Sequence, residues 1–219
     1  MTVFVNVFDQ LASIALVARK APSTVLRRAY VKAYRDWCAE TRWLRVNIPG
    51  QTVDGTQVYD LGSDPYLEII SVRAMSCGAQ PASATLQNTV ALRMQDSTLW
   101  DPDAPHNRPT RYAYVPEGQV AVWPVPNDIY NVLVTVCVQP KDGVAQVPAE
   151  PLKKYSTGIE AGALMHPLRI PGQAWTDARM AKEYETIWNS AVSNGKAEEQ
   201  RAYNTGSMRA RPRPFVVGR

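Results

Sequence analysis

The sequence predicts an α+β protein. Helices from the two ends of the chain form a helical body, an antiparallel sandwich or barrel-like β region is inserted between them, and an extended arm closes the chain. Three observations carry this. Apolar residues recur at helical spacing before residue 45 and again after residue 148. Between these stretches lie short runs rich in β-branched and aromatic residues, each bounded by Gly, Pro, Asn or Asp. Within the last thirteen residues, Arg211-Pro212-Arg213-Pro214 alternate Arg with Pro, which forbids a helix and favours an extended form.

The elements follow in order. "VFDQLASIALVAR" reads either as a short helix after Asp9 or as an extended arm. Ser23 or Thr24 can cap a helix running to about Trp43, with Leu26, Ala29, Tyr30, Ala33, Trp37 and Thr41 on one face. Arg27, Arg28, Lys32, Arg35, Asp36 and Glu40 point elsewhere, as a solvated face does. The runs "WLRVNIP", "QTVDGTQVYDL", "YLEIISVRAM", "TLQNTVALRM", "TRYAYVP", "GQVAVWPVP" and "NVLVTVCVQP" read as strands. In the last of these, Val132, Val134, Val136 and Val138 share a face because successive side chains of a strand alternate. Asp54-Gly55 and Glu117-Gly118 supply turn chemistry, and Pro124 and Pro126 mark an edge or a strand end. Leu152, Tyr155, Ile159, Gly162 and Ala163 line a helix expected to end near His166, where Pro167 would clash with the preceding turn. Thr176 or Asp177 caps a last helix to about Tyr203, striped by Ala181, Tyr184, Ile187, Trp188, Ala191 and Val192. The resulting division is 1–45 and 148–206 for the helical body, 46–147 for the inserted β region and 207–219 for the arm.

Composition narrows the function. Hydrophobic residues make up 45% and charged residues 20% of 219, within the range of a soluble globular domain. Ten tyrosines and six tryptophans against three phenylalanines suit surfaces that are half apolar and half wet, either interfaces or the edges of β structure. The start of the chain reads as having neither a basic leader nor a small-residue cleavage site, and no apolar run approaches the roughly 18 residues of a membrane span. Cys38, Cys77 and Cys137 are odd in number and far apart, which fits reduced thiols in a cytosolic setting, with Cys38 and Cys137 in core positions. The net charge of +4 is unevenly spread: +5 in residues 1–45, −5 in 46–148, zero in 149–206 and +4 in the last thirteen. A duplex-binding domain more often carries one broad basic face.

Reactive chemistry is missing. His106 and His166 are the only histidines, and neither has a Cys, Asp or Glu at metal-ligand spacing. Asp101 and Asp103 in a Pro-rich loop read as turn residues. No nucleophile elbow, phosphate-binding Gly-rich loop or dinucleotide fingerprint occurs. The expectation is a non-enzyme with no metal and no cofactor.

The order "VPAEPLKKYSTGIEAGALMHPLRIPGQAW" resembles the helix–turn segment of tailed-bacteriophage head-to-tail adaptor (connector) proteins, especially those of short-tailed phages. In that family a Pro opens the helix, a Leu and a Tyr lie on its inner face, and a small-residue step follows. A Pro-Gly turn then leads to a Trp before the long last helix. Here these positions are Pro148, Leu152, Tyr155, Gly162-Ala163-Leu164, Pro171-Gly172 and Trp175. "LRRAYVKAYRDWCAETRWLR" is similar to the family's first long helix, "QVYDLG" to the segment entering the insertion, and "RPTRYAYV" and "VAVWPVP" to its later strands. Pro167 departs from the pattern, where the family usually continues with Leu or a basic residue.

The resemblance implies a ring, usually of twelve copies, in the virion neck beneath the portal, made in the cytoplasm of the bacterial host. Its partners would be the portal protein, neighbouring copies, a tail or nozzle protein, and genomic DNA passing without sequence-specific binding; no membrane is implied. Gly158, Gly162, Ala163, Trp175 and Trp188 would serve close helix packing, within the chain or between copies. The arm would bind the portal: Phe215, Val216 and Val217 would enter a groove or add a strand, and Arg209, Arg211, Arg213 and Arg219 would meet acidic groups. Free, such a peptide buries too little surface to fold by itself. Alternatives are a basic tail touching DNA nonspecifically, another ring component of the neck or tail, and a nucleic-acid binding module.

Overall fold

The computed structural model describes residues 3–62, 64–78, 84–85, 87–88, 106–115 and 118–203. It is α+β, with four helices among the described residues and mainly antiparallel sheets, none closed into a barrel. The barrel-like alternative is thereby corrected.

The chain opens with β1 (Phe4–Asn6) and α1 (Val7–Val17), which settles the short-helix reading of this stretch. The Asn6 side chain accepts from the Phe8 N–H at 3.0 Å and caps α1, and Val7, Leu11 and Ile14 bury its inner face. α2 (Ser23–Thr41) buries the expected face from Leu26 to Thr41, together with Val31, Tyr34 and Cys38. Its start corrects the expectation: Pro22 occupies the N-cap position and no side chain caps the helix. Proline pre-sets a backbone angle compatible with a helix start and lacks an N–H that would need a partner.

Two four-stranded sheets follow. One is ordered β2 (Arg45–Gln51), β9 (Asn131–Pro140), β4 (Leu67–Cys77) and β5 (Ala84–Thr85). The other is β3 (Val58–Asp60), β8 (Gln119–Trp123), β7 (Arg111–Val115) and β6 (Gln87–Asn88). All pairings in them are antiparallel except β6 with β7, which is parallel and departs from the antiparallel expectation. Val134, Val136 and Val138 share a buried face, as their alternation requires. Those valines belong to the same buried cluster as Val120, Val122 and Tyr112 of the other sheet, and the Tyr112 hydroxyl donates to the Arg73 carbonyl of β4 at 3.0 Å. Gly55 and Gly118 adopt φ of 71° and 80°, as turn glycines do.

β10 (Gln146–Pro148) pairs with β1, so Phe4–Asn6 lie beside the strand that leads into α3 (Leu152–Leu168). α3 runs past His166 through Pro167. The final turn survives because Pro167 and Leu168 are buried, and the Arg169 and Ile170 N–H groups close short turns onto His166 and Pro167. α4 (Ala178–Tyr203) is capped by Asp177, whose carboxylate accepts from Arg179 and Met180, each at 3.0 Å; the Thr176 hydroxyl turns to Ile170 instead. α2 contacts α1, α3 and α4, and α3 lies along α4. The expected stripe of α4 holds for Ala181, Trp188 and Val192, whereas Ile187 stands 41% exposed because it turns outward beside the α3–α4 seam.

Candidate interaction surfaces

The seam between α3 and α4 is built from small residues. A Cβ at Gly158 would stand 2.2 Å from Ala191 Cβ, and one at Gly162 would stand 2.4 Å from Trp188 Cε3. Ala163 is fully buried and Trp188 is 6% exposed. This chain's own last helix therefore fills the space those glycines leave open. Trp175 lies half-buried in the α3–α4 connection, and its indole N–H has no partner among the described residues. Gly195, absent from the sequence reading, makes a third close approach: its Cβ would stand 2.8 Å from Thr41 Cγ2 of α2. The signal was present, since Gly195 follows Trp188 and Ala191 by seven and four residues on the same face.

Above this seam Trp37 packs on Tyr155 with ring centroids 4.9 Å apart and on Trp43 at 6.0 Å. The Tyr155 hydroxyl donates to Glu198, which also receives Lys154 Nζ at 2.6 Å. Desolvation and this carboxylate push the Tyr155 phenol up to about 12. Hydrogen bonds from Lys154 and Tyr155 hold the Glu198 carboxyl below its usual range.

Near the far end of α4, Glu199 is nearly buried. Its Oε1 lies 3.1 Å from Arg45 Nη2 on β2 and 3.0 Å from Arg73 Nη2 on β4. One carboxylate thus ties the last helix to two strands of the first sheet. No sequence spacing pairs residue 199 with residues 45 and 73.

Two of the open grooves among the described residues have apolar walls. A cavity of about 590 Å³ lies between the sheets, walled by Val46 and Ile48 of β2, Leu61, Ile69 of β4, Tyr114 of β7 and Val138 of β9. All but Val138 are half-exposed apolar groups. Another groove lies between α2 and the end of α3, where Arg28, Lys32 and His166 rim an apolar floor of Val25, Ala29 and Pro167. Burial and the Lys32 charge hold the His166 imidazole below its usual value.

Among the described residues no group of His, Cys, Asp or Glu could hold a metal ion. Cys38, Cys77 and Cys137 are free, buried thiols raised by burial. His106 is exposed, and its backbone forms a bridge with Val125. Asp101, Asp103 and Glu117 lie outside the described residues, as do Arg209, Arg211, Arg213, Phe215, Val216, Val217 and Arg219 of the arm. No helix of the described residues is long and apolar enough to cross a membrane.

None of the curated proteins matches the chain. A family model described as SU10 adaptor protein matches residues 9–213, from the first turn of α1 into the arm. With that match over nearly its whole length, the chain belongs to the SU10 adaptor protein family, a phage head-to-tail adaptor family in agreement with the resemblance carried by its helix–turn segment.

Proposed function

We propose that the chain forms a ring, of twelve copies by the family resemblance, beneath the portal of a filled phage head. The ring extends the DNA channel and offers a platform to the tail or nozzle protein. Residues 1–45 and 148–206 make the helical body, 46–147 the inserted β-sandwich region and 207–219 the arm. DNA passes the ring without sequence-specific contact. The portal receives the arm, with Phe215, Val216 and Val217 as the apolar anchor and Arg209, Arg211, Arg213 and Arg219 on acidic groups.

The observation that carries this reading is the family match over residues 9–213. The polarised charge, the Tyr- and Trp-rich composition and a described structure built around packing seams support it. Electron microscopy of the purified protein mixed with portal rings tests it. Added ring density on one face of the portal is the expected result, with the protein alone sedimenting as a monomer. Portal rings that recruit no copies would overturn the reading.

A further inference from the structure

The cavity between the sheets has the form of a peptide groove. Among the described residues β2 pairs only with β9, so its outer edge has no strand partner there, and Val46 and Ile48 of that same strand line the groove. Half-exposed Val46, Ile48, Leu61, Ile69 and Tyr114 offer an apolar wall on both sheets. An edge strand above an apolar slot is the arrangement that takes up an extended peptide: main-chain hydrogen bonds hold the peptide, and alternate side chains enter the slot.

We propose that this groove is the resting seat of the chain's own C-terminal end, with Phe215-Val216-Val217 added along β2 and the side chains of Phe215 and Val217 in the slot. The root of the arm is close by. Glu199, four residues before the end of α4, is bonded to Arg45, and Val46, the next residue of β2, lines the groove. Neighbouring residues of a strand face opposite sides, so the arm need only turn around the β2 edge. The twelve residues from Tyr203 to Phe215 can span about 40 Å, whereas strands lie about 5 Å and packed sheets about 10 Å apart.

Chemistry agrees with distance. The arm carries +4 and residues 46–148 carry −5. Of the charged groups that line the groove, Asp64 is exposed with no ion pair among the described residues, Glu68 pairs with Arg35, and Lys141 is the one cation. Pro212 and Pro214 keep the approach extended and cannot donate to a strand, while the three residues after them can. Tethering favours the chain's own end over a free peptide by its high effective concentration. Seated there, the arm covers an exposed strand edge, and a partner that captures the arm must first lift it out. This goes beyond the portal reading and stands without it, because the test contains no portal.

The test is disulfide trapping in the full-length chain carrying Ile48→Cys and Val217→Cys, with Leu61→Cys and Val217→Cys as a second pair from the opposite sheet. The three native thiols are buried and stay out of the reaction. Mild oxidation of dilute protein is expected to give an intrachain disulfide in both pairs, about tenfold more than Ile129→Cys with Val217→Cys at an exposed site away from the groove. Adding Phe215→Ser is expected to lower the yield about tenfold. Equal yields at all three positions, insensitivity to Phe215→Ser, or disulfides that only join two chains would each overturn the proposal.

Discussion

At the scale of single residues, steric room decides more than polarity. Gly162 sits 2.4 Å, by its would-be Cβ, from a nearly buried indole edge. Gly162→Leu therefore forces Trp188 out or the helices apart, at about 1–3 kcal/mol for overpacking. Urea denaturation should show the loss as a lower midpoint, and an unchanged midpoint would mean that the seam gives way freely. Glu198 makes a different case. Hydrogen bonds from Lys154 and Tyr155 lower its folded-state pKa below the ordinary value of 4.5. A depressed carboxyl contributes stability that is present above its unfolded pKa and is lost as pH falls through the folded one. Glu198→Gln should accordingly flatten the fall in stability below about pH 4.5 while changing little at neutral pH beyond the lost ion pair. Denaturation midpoints of both proteins at two pH values measure this.

At the scale of elements, α4 is held at both ends. Asp177 caps its start, and Glu199 binds its last turns to β2 and β4. Glu199→Gln keeps the shape and removes the charge shared by Arg45 and Arg73. A charge-assisted bond of this kind is worth about 1.5–3 kcal/mol, toward the lower end here because both arginines reach solvent. Hydrogen exchange should then rise in residues 196–203 ahead of the α3–α4 seam. Uniform exchange along α4 would mean that the carboxylate does not hold the helix end. α3 teaches a related lesson: a proline ends a helix only where nothing holds the next turn, and the buried Leu168 holds this one.

At the scale of the whole molecule, the charge map and the fold divide the work. Helices from both ends of the chain carry the packing seams, and residues 46–148 between them, which include both four-stranded sheets, carry −5. Truncation after Gly206 removes four arginines and the apolar end without touching any buried residue described here. The truncated chain is expected to keep its fold and its single cooperative transition, losing only what the seated arm adds, and to lose attachment to portal rings in a pull-down. Attachment that persists would place the portal contact on the body.

The sequence by itself determined whatever is written in a local period or a local turn. The faces of α2 and α3, the alternation of Val134, Val136 and Val138, and the turns at Gly55 and Gly118 depend on near neighbours and were legible. So was the small-residue step at Gly162-Ala163, and with it the family. Tertiary structure alone decided what depends on distant partners. The outward turn of Ile187, the parallel pairing of β6 with β7, the length of α3 beyond His166 and the meeting of Glu199 with Arg45 and Arg73 each require groups from separate elements to coincide in space. The groove between the sheets belongs to the same class. Its wall residues come from five stretches of chain, each of which reads alone as an ordinary strand or its flank, and only sheet packing brings them around one cavity.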